Sequence, residues 1–269
     1  MIKVHPSAVV SKEAQLGEDV AIGPNCVIEN GVSIGAGTVI DANVVIEKNV
    51  RIGKNNHFCA NCVIGGMPQV LGLSPDAEIG GLLIGDRNIF REQVTIHLSA
   101  RRGEIAKVGN DNLLMVGVHI GHDCTLEDKI VMSNSVQISG HCKIETGAWF
   151  SGLAAMHQFV TFGKWSYAAG LAGINRDIPP FLIVSGHYPP RIRGVNKRGM
   201  DRAGLTEKQQ EKIFEAYKKL YRQGSAVLEN AKALAQEDGL DENVRAMVDM
   251  IIKSSEHQFG RYLEKFRRR

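Results

Sequence analysis

Aromatic residues make up only 6% of this 269-residue chain, which carries 29 glycines. So few large rings exclude a core built mainly on aromatic packing and point to aliphatic side chains on a backbone that turns often through tight corners. No run of eighteen apolar residues occurs, which argues against a transmembrane segment. The start Met1-Ile2-Lys3-Val4-His5-Pro6 lacks the apolar centre of a secretory signal, so a cytoplasmic location is expected. Surplus charge is also missing. A net charge of +3 with 43% hydrophobic residues fits neither a disordered polymer nor a nucleic-acid coat. Only the end, Arg261-Tyr262-Leu263-Glu264-Lys265-Phe266-Arg267-Arg268-Arg269, is locally basic.

What is present is a repeat. Stepping by six from Val4 meets Val10, Leu16, Ile22, Ile28, Ile34, Ile40, Ile46, Ile52, Phe58 and Ile64 without a polar residue. The ladder breaks over residues 65–81, returns at Ile84, Phe90 and Ile96, and breaks again at Ala100-Arg101-Arg102-Gly103. It then runs from Val108 through Leu114, Ile120, Leu126, Met132, Ile138, Ile144, Phe150, Met156 and Phe162 to Ala168. Glycine often follows a rung, and the residue four after a rung is often small. Each hexad reads as a short strand with one inward aliphatic side chain, then a corner where glycine and small residues relieve crowding. Three strands per turn place residues n and n+18 above one another at roughly 4.8 Å, a parallel β-helix of about eight coils, on the order of 40 Å tall. Such a coil stack needs a cap at its open end.

The register also sorts the reactive side chains. Cys59-Ala60-Asn61-Cys62 has the spacing of a redox or half-zinc pair, yet Cys26, Cys62, Cys124 and Cys142 all fall four after a rung and read as buried fillers. His119, His122, His141 and His157 cluster on the last section of the ladder. His122 and Gly140 differ by eighteen, so the Gly140 backbone belongs one coil from the imidazole. A general base beside an available backbone N–H suits acyl transfer: one takes the nucleophile's proton and the other steadies the oxyanion.

Asn112-Leu113-Leu114-Met115, Gly121-His122-Asp123-Cys124, Gly140-His141, His157-Gln158-Phe159, Asp177-Ile178-Pro179-Pro180 and a helical carboxy-terminal segment together resemble the acyl-[acyl carrier protein]–UDP-N-acetylglucosamine O-acyltransferases. The resemblance spans nearly the whole chain. It implies a mainly β, left-handed parallel β-helix, a homotrimer with active sites between subunits, and transfer of a 3-hydroxyacyl chain from acyl carrier protein to the sugar 3-position, the first step of lipid A biosynthesis. No cofactor and no metal are implied. His122 would be the general base, Asp123 its carboxylate partner, and Gly140 the oxyanion donor. Gln69, Leu71, His119, His141, His157 and Gln158 would line the acceptor side, Asn196 and Arg202 would meet the nucleotide, and Gly170 would leave room for a long acyl chain.

Four positions depart from the family pattern. Val70 stands where a carboxylate is common, Gly72 where a lysine is, Arg198 where many relatives carry glutamate, and Tyr188 where a histidine is known. They leave open a 3-amino acceptor and an amide product. Other readings of the same residues are a coenzyme A-dependent hexapeptide transferase, a non-catalytic scaffold, and a β-helical zinc carbonic anhydrase with His119, His122 and His141 as ligands.

After Pro189-Pro190 helical spacing takes over, dividing the chain into a β-helical domain, 1–190, and a helical domain, 191–269. Thr206 is placed to cap a helix running to about Gln223, with Ile213, Ala216, Tyr217, Leu220 and Tyr221 on one face. Further helices are expected from Ser225 to about Gln236 and from Asp241 to the basic end. Lys212, Lys218, Lys219, Arg222 and Arg261 are candidates for docking an acidic carrier protein.

Overall fold

Most rungs close a two-residue strand. In Ala21–Ile22, Val27–Ile28 and Ser33–Ile34 the rung side chain is buried and its neighbour half-exposed, the alternation a strand with one inner face requires. The computed structural model describes residues 1–267 and resolves into two units, Met1–His141 and Cys142 onward.

In the first unit the strands form three parallel sheets, one per face of the coil. One face runs Lys3–Val4, Ala21–Ile22, Val39–Ile40, His57–Phe58, Ile89–Phe90, Leu113–Leu114 and Val131–Met132. Partners are eighteen apart in Lys3↔Ala21 and Leu113↔Val131. The two breaks in the ladder are excursions that re-enter in register: His57 pairs with Ile89, and Leu82 with Ala106. This is the expected parallel β-helix. Its first rung is not buried, Val4 being 43% exposed, because among the described residues its strand pairs on one side only.

The corners differ in detail from the sequence expectation. The left-handed backbone position is three after the rung, occupied by Asn25, Asn43, Asn55, Asn61, Asp123 and His141, with φ between 54° and 65°. Asparagine and aspartate enter that region at the lowest cost of any side chain beyond glycine. Glycine directly after a rung serves another purpose. At Gly23 an added Cβ would come 2.8 Å from the Asp41 backbone of the next coil.

The position four after the rung faces the interior. Cys26, Cys62 and Cys124 are buried there, and each thiol donates to a carbonyl of the next coil, at 2.8, 3.1 and 3.2 Å. Burial pushes the Cys62 thiol up to about 12. On another edge the same position builds an amide ladder. The Asn56 side-chain oxygen accepts from the Asn88 backbone and amide, the Asn88 oxygen accepts from the backbone and amide of Asn112, and the Asn112 oxygen accepts from the Ile130 N–H.

The second unit begins with coils of the same kind. Trp149–Phe150 pairs with Tyr167–Ala168, and that with Leu182–Ser185. An antiparallel strand, Arg191–Val195, then pairs with Leu182–Ser185, where the sequence pattern led us to expect helix. The helices follow: α1 (Lys197–Arg202), α2 (Glu207–Tyr221), α3 (Val227–Ala235) and α4 (Glu242–Ser255). Thr206 caps α2 through a reciprocal capping box with Gln209, which satisfies two otherwise orphaned donors. Ile213, Ala216, Tyr217 and Leu220 are its buried face.

The last helix stops short of the basic end. It ends at Ser255 and two 3-10 turns follow, with Phe259 in the left-handed region. A buried carboxylate decides this path. Asp177 accepts from the Thr161 N–H at 2.7 Å, the Ser254 hydroxyl at 2.6 Å and the Tyr262 N–H at 2.8 Å, tying coil, helix end and turn together.

Candidate functional site

Ile120 is buried, and the next three residues cross a corner. Gly121 lies so close to the following coil that a Cβ would sit 2.7 Å from the Gly140 nitrogen. Asp123 takes the left-handed corner conformation, and His141, eighteen residues on, takes it one coil later. The tight coil approach at Gly121 and this corner alignment bring His122, Asp123, Gly140 and His141 together.

The Asp123 carboxylate is nearly sequestered from water and accepts three hydrogen bonds: from His122 Nδ1 at 2.6 Å, the Ser99 hydroxyl at 2.5 Å and the Ala100 N–H at 3.3 Å. Burial alone would raise its pKa, but these donors and the nearby His141 outweigh it and hold Asp123 at about 2. An ionised Asp123 fixes the His122 tautomer. Nδ1 carries the proton, and Nε2 is left with its lone pair.

Gly140 packs directly against that end of the ring. A Cβ on Gly140 would lie 2.6 Å from His122 Nε2 and 2.7 Å from its Cε1. Any side chain there would displace the imidazole, so the pairing read from the eighteen-residue spacing has a steric basis. His141 packs edge-on against His122 with ring centroids 4.9 Å apart, and its Nε2 lies 3.7 Å from Asp123.

His119 is held apart from that pair. Its Nδ1 is 2.8 Å from the Thr95 hydroxyl, and its ring meets His97 edge-on with centroids 4.9 Å apart. His97, which sequence reasoning did not select, has a buried Nδ1 with no partner among the described residues. Burial, then the imidazoles of His119 and His122, lowers its pKa to about 4. Burial, then His122, also lowers that of His119. Gln69 and Leu71 lie exposed on the first excursion, beside the likewise exposed Val70 and Gly72.

The second unit holds the other sequence candidates. His157 Nδ1 is 3.2 Å from the Gln158 carbonyl oxygen. A cavity of about 910 Å³ is lined by Trp149, Ser151, Tyr167, Asn196, Arg198 and Arg202, among others. The Arg202 guanidinium stacks 4.5 Å from the Trp149 ring centroid. Burial lowers its pKa, and it has no ion pair among the described residues. Asn196 is buried and caps α1, accepting from the Gly199 N–H and donating to the Trp165 carbonyl. At Gly170 a Cβ would meet only the Gly152 carbonyl oxygen, at 3.5 Å.

A basic cavity with an aromatic wall and a carboxylate-oriented imidazole beside glycine suit transfer to a charged acceptor, and likeness to known proteins agrees. Residues 31–66 match the bacterial transferase hexapeptide family, and residues 177–259 match the second domain of UDP-N-acetylglucosamine O-acyltransferase. An acyl-[acyl carrier protein]–UDP-N-acetylglucosamine O-acyltransferase of Anaeromyxobacter sp. (strain K) is 44% identical over 87% of this chain and 89% of its own length. The chain belongs to that family of acyltransferases. A second member, from Aliivibrio fischeri (strain MJ11), is 45% identical over 86% of this chain and 87% of its own. The solved structure of the Francisella novicida UDP-N-acetylglucosamine acyltransferase is 36% identical, with a TM-score of 0.87 over 93% of this chain and 91% of that one. The left-handed β-helix is the fold of the family.

Membership in the O-acyltransferase family sets aside the scaffold reading and disfavours the amide-forming and coenzyme A-dependent ones. The zinc-hydrase reading fails on geometry too: His119 is engaged with Thr95 and His97, and the group that converges is His122, Asp123 and His141. Ser99, like His97, was hidden from sequence. The second excursion separates it from Asp123 by twenty-four residues, so a search at eighteen passes both by.

Of the expected docking cations, Arg261 is buried, paired with Glu264 and donating to the Asn175 carbonyl. It is a structural residue, which corrects the sequence reading. Lys212, Lys218 and Lys219 pair with Asp241, Glu215 and Glu237, and Arg222 donates to the Tyr217 hydroxyl. No helix among the described residues is long and apolar enough to cross a membrane.

Proposed function

We propose that this chain transfers a 3-hydroxyacyl group from acyl carrier protein to the 3-hydroxyl of UDP-N-acetylglucosamine, opening lipid A biosynthesis in the cytoplasm, and that it works as a homotrimer without a cofactor. The observation that carries the reading is the Asp123–His122 pair with its Nε2 lone pair beside Gly140. The named substrates of the relatives supply donor and acceptor.

His122 Nε2 takes the proton of the sugar hydroxyl as its oxygen bonds to the thioester carbon. Ion pairing with Asp123 stabilises the imidazolium so formed. The Gly140 N–H steadies the oxyanion. Collapse breaks the carbon–sulfur bond, and His122 returns the proton to the departing thiol. His119, His141, His157, Gln158, Gln69 and Leu71 line the acceptor side. In the aromatic-walled cavity Arg202 meets diphosphate, where a guanidinium offers paired donors, and Asn196 holds α1 in place. The bare edge at Gly170 leaves space for a long acyl chain. The β-helical domain, 1–190, carries the chemistry, and the helical domain, 191–269, contributes to recognition.

Mass-resolved transfer from a panel of hydroxyacyl carrier proteins tests this, with UDP-N-acetylglucosamine and its 3-amino analogue offered side by side. Ester product is expected, with His122→Ala slowing turnover by about 10²–10⁴-fold while nucleotide-sugar affinity is kept. Amide alone would overturn the hydroxyl acceptor, absence of both products would overturn the transfer, and full activity in the variant would overturn the role of His122.

A further inference from the structure

Outside the histidine cluster, coil stacking gathers one more set of ligand-type side chains among the described residues. Asp41 follows rung Ile40, and Cys59 follows rung Phe58 eighteen residues later, so they occupy equivalent places on consecutive coils, and the Asp41 N–H donates to the Phe58 carbonyl. His57 precedes the same inward rung and therefore shares a face with Cys59. Its Nε2 is 3.0 Å from Asp41 Oδ2, and the ligand atoms of Asp41, His57 and Cys59 all lie within 4.8 Å of one another.

We propose that Asp41, His57 and Cys59 bind one divalent cation of the zinc type. A set of one sulfur, one imidazole nitrogen and one carboxylate oxygen is what zinc accepts, whereas calcium and magnesium call for oxygen alone. On binding, the Cys59 thiol releases its proton to solvent, and thiolate and carboxylate together balance the 2+ charge. His57 gives up its hydrogen bond to Asp41, the proton that made the bond passes through solvent from Nε2 to Nδ1, and Nε2 offers its lone pair. Water takes the fourth position, because the neighbouring Glu92 is held by Arg91 through two bonds of 3.0 and 3.1 Å. The half-exposed Asp41 and His57 side chains leave a way in, while Cys59 is largely covered.

The site is not the sequence motif Cys59-Ala60-Asn61-Cys62. The Cys62 thiol is buried and bonded to the Arg91 carbonyl. The donors come instead from two coils, so a bound ion would pin one coil to the next, independently of the transfer reaction.

Cobalt(II) titration of the chelator-treated full chain tests the site. One cobalt per chain is expected, with the charge-transfer absorption of a cobalt–thiolate bond, displaced by zinc. Affinity should fall by roughly 10-fold or more in Cys59→Ser and in His57→Gln, comparable to the 10- to 100-fold losses known for weaker supporting contacts, and the thiolate band should vanish in Cys59→Ser. His122, Asp123 and His141 hold no sulfur, so cobalt bound without a thiolate band would assign the ion elsewhere and overturn the proposal. So would no binding, or a band that survives Cys59→Ser. Melting in chelator checks that each variant is folded, and the half-exposed His57 keeps the test open should the cysteine variant fail.

Discussion

His122 and His97 show how differently two imidazoles of one unit fare in different surroundings. His122 has an ionised partner in Asp123, whereas His97 is half-buried, its sheltered Nδ1 has no partner among the described residues, and its neighbours are other imidazoles. Because the folded-state pKa of His97 is about 4 against an ordinary 6.5, protonation favours the unfolded chain. Its contribution to stability is complete above pH 6.5 and is lost as the pH falls toward 4. Asp123, at about 2, stays ionised through that window and weakens the fold only below about 4. Urea midpoints measured from pH 7 to 4 should therefore decline, and His97→Gln should flatten part of that decline. His119, shifted the same way, accounts for a remaining slope. Parallel curves for the two proteins would show that His97 charges as easily folded as unfolded. The spacing of eighteen made His122 and Gly140 legible as a pair, while the same arithmetic could not reach His97 or Ser99, since the length of an excursion alters the period across it.

Among the elements, the amide ladder of Asn56, Asn88 and Asn112 joins successive coils from inside. Asn88→Ala would remove the acceptor for the Asn112 N–H and the donors that reach Asn56 and the Gly109 carbonyl. Leaving such groups buried without partners costs about 1–3 kcal/mol, to be read as a lower denaturation midpoint at unchanged urea dependence. An unchanged midpoint would mean that water replaces the amide. The ladder was legible only as a run of small or polar residues in one phase, because backbone spacing does not reveal what an interior asparagine bonds to. Helix α2 was legible to within two residues of its end, since Thr206 and Gln209 carry a local capping signal. The break after Ser255 was not, because Asp177, far away in sequence, imposes it.

At the scale of the molecule, the proposed trimer predicts an outcome that mixing can reveal. His122 belongs to the first unit and Arg202 to the second. If neighbouring chains supply them to one cleft, His122→Ala and Arg202→Ala chains co-assembled as mixed trimers should regain transfer that neither variant shows alone. Light scattering should give three chain masses for the wild type. A monomer mass would refute the trimer, and silent mixed trimers would place both residues of each cleft on one chain.

What the sequence by itself determined is everything that repeats or is local: the inward rungs, the coil period, the buried cysteines, the cap of α2, and the pairing of His122 with Gly140. Each depends on a spacing that the backbone must honour. Only the tertiary structure decided the contacts that bridge irregular intervals. Ser99 on Asp123, His97 against His119, and Asp177 holding Ser254 and Tyr262 arise from where excursions and the last helix rejoin the coil and which side chains meet across it. Those meetings are set by packing in three dimensions, which no single stretch of chain encodes.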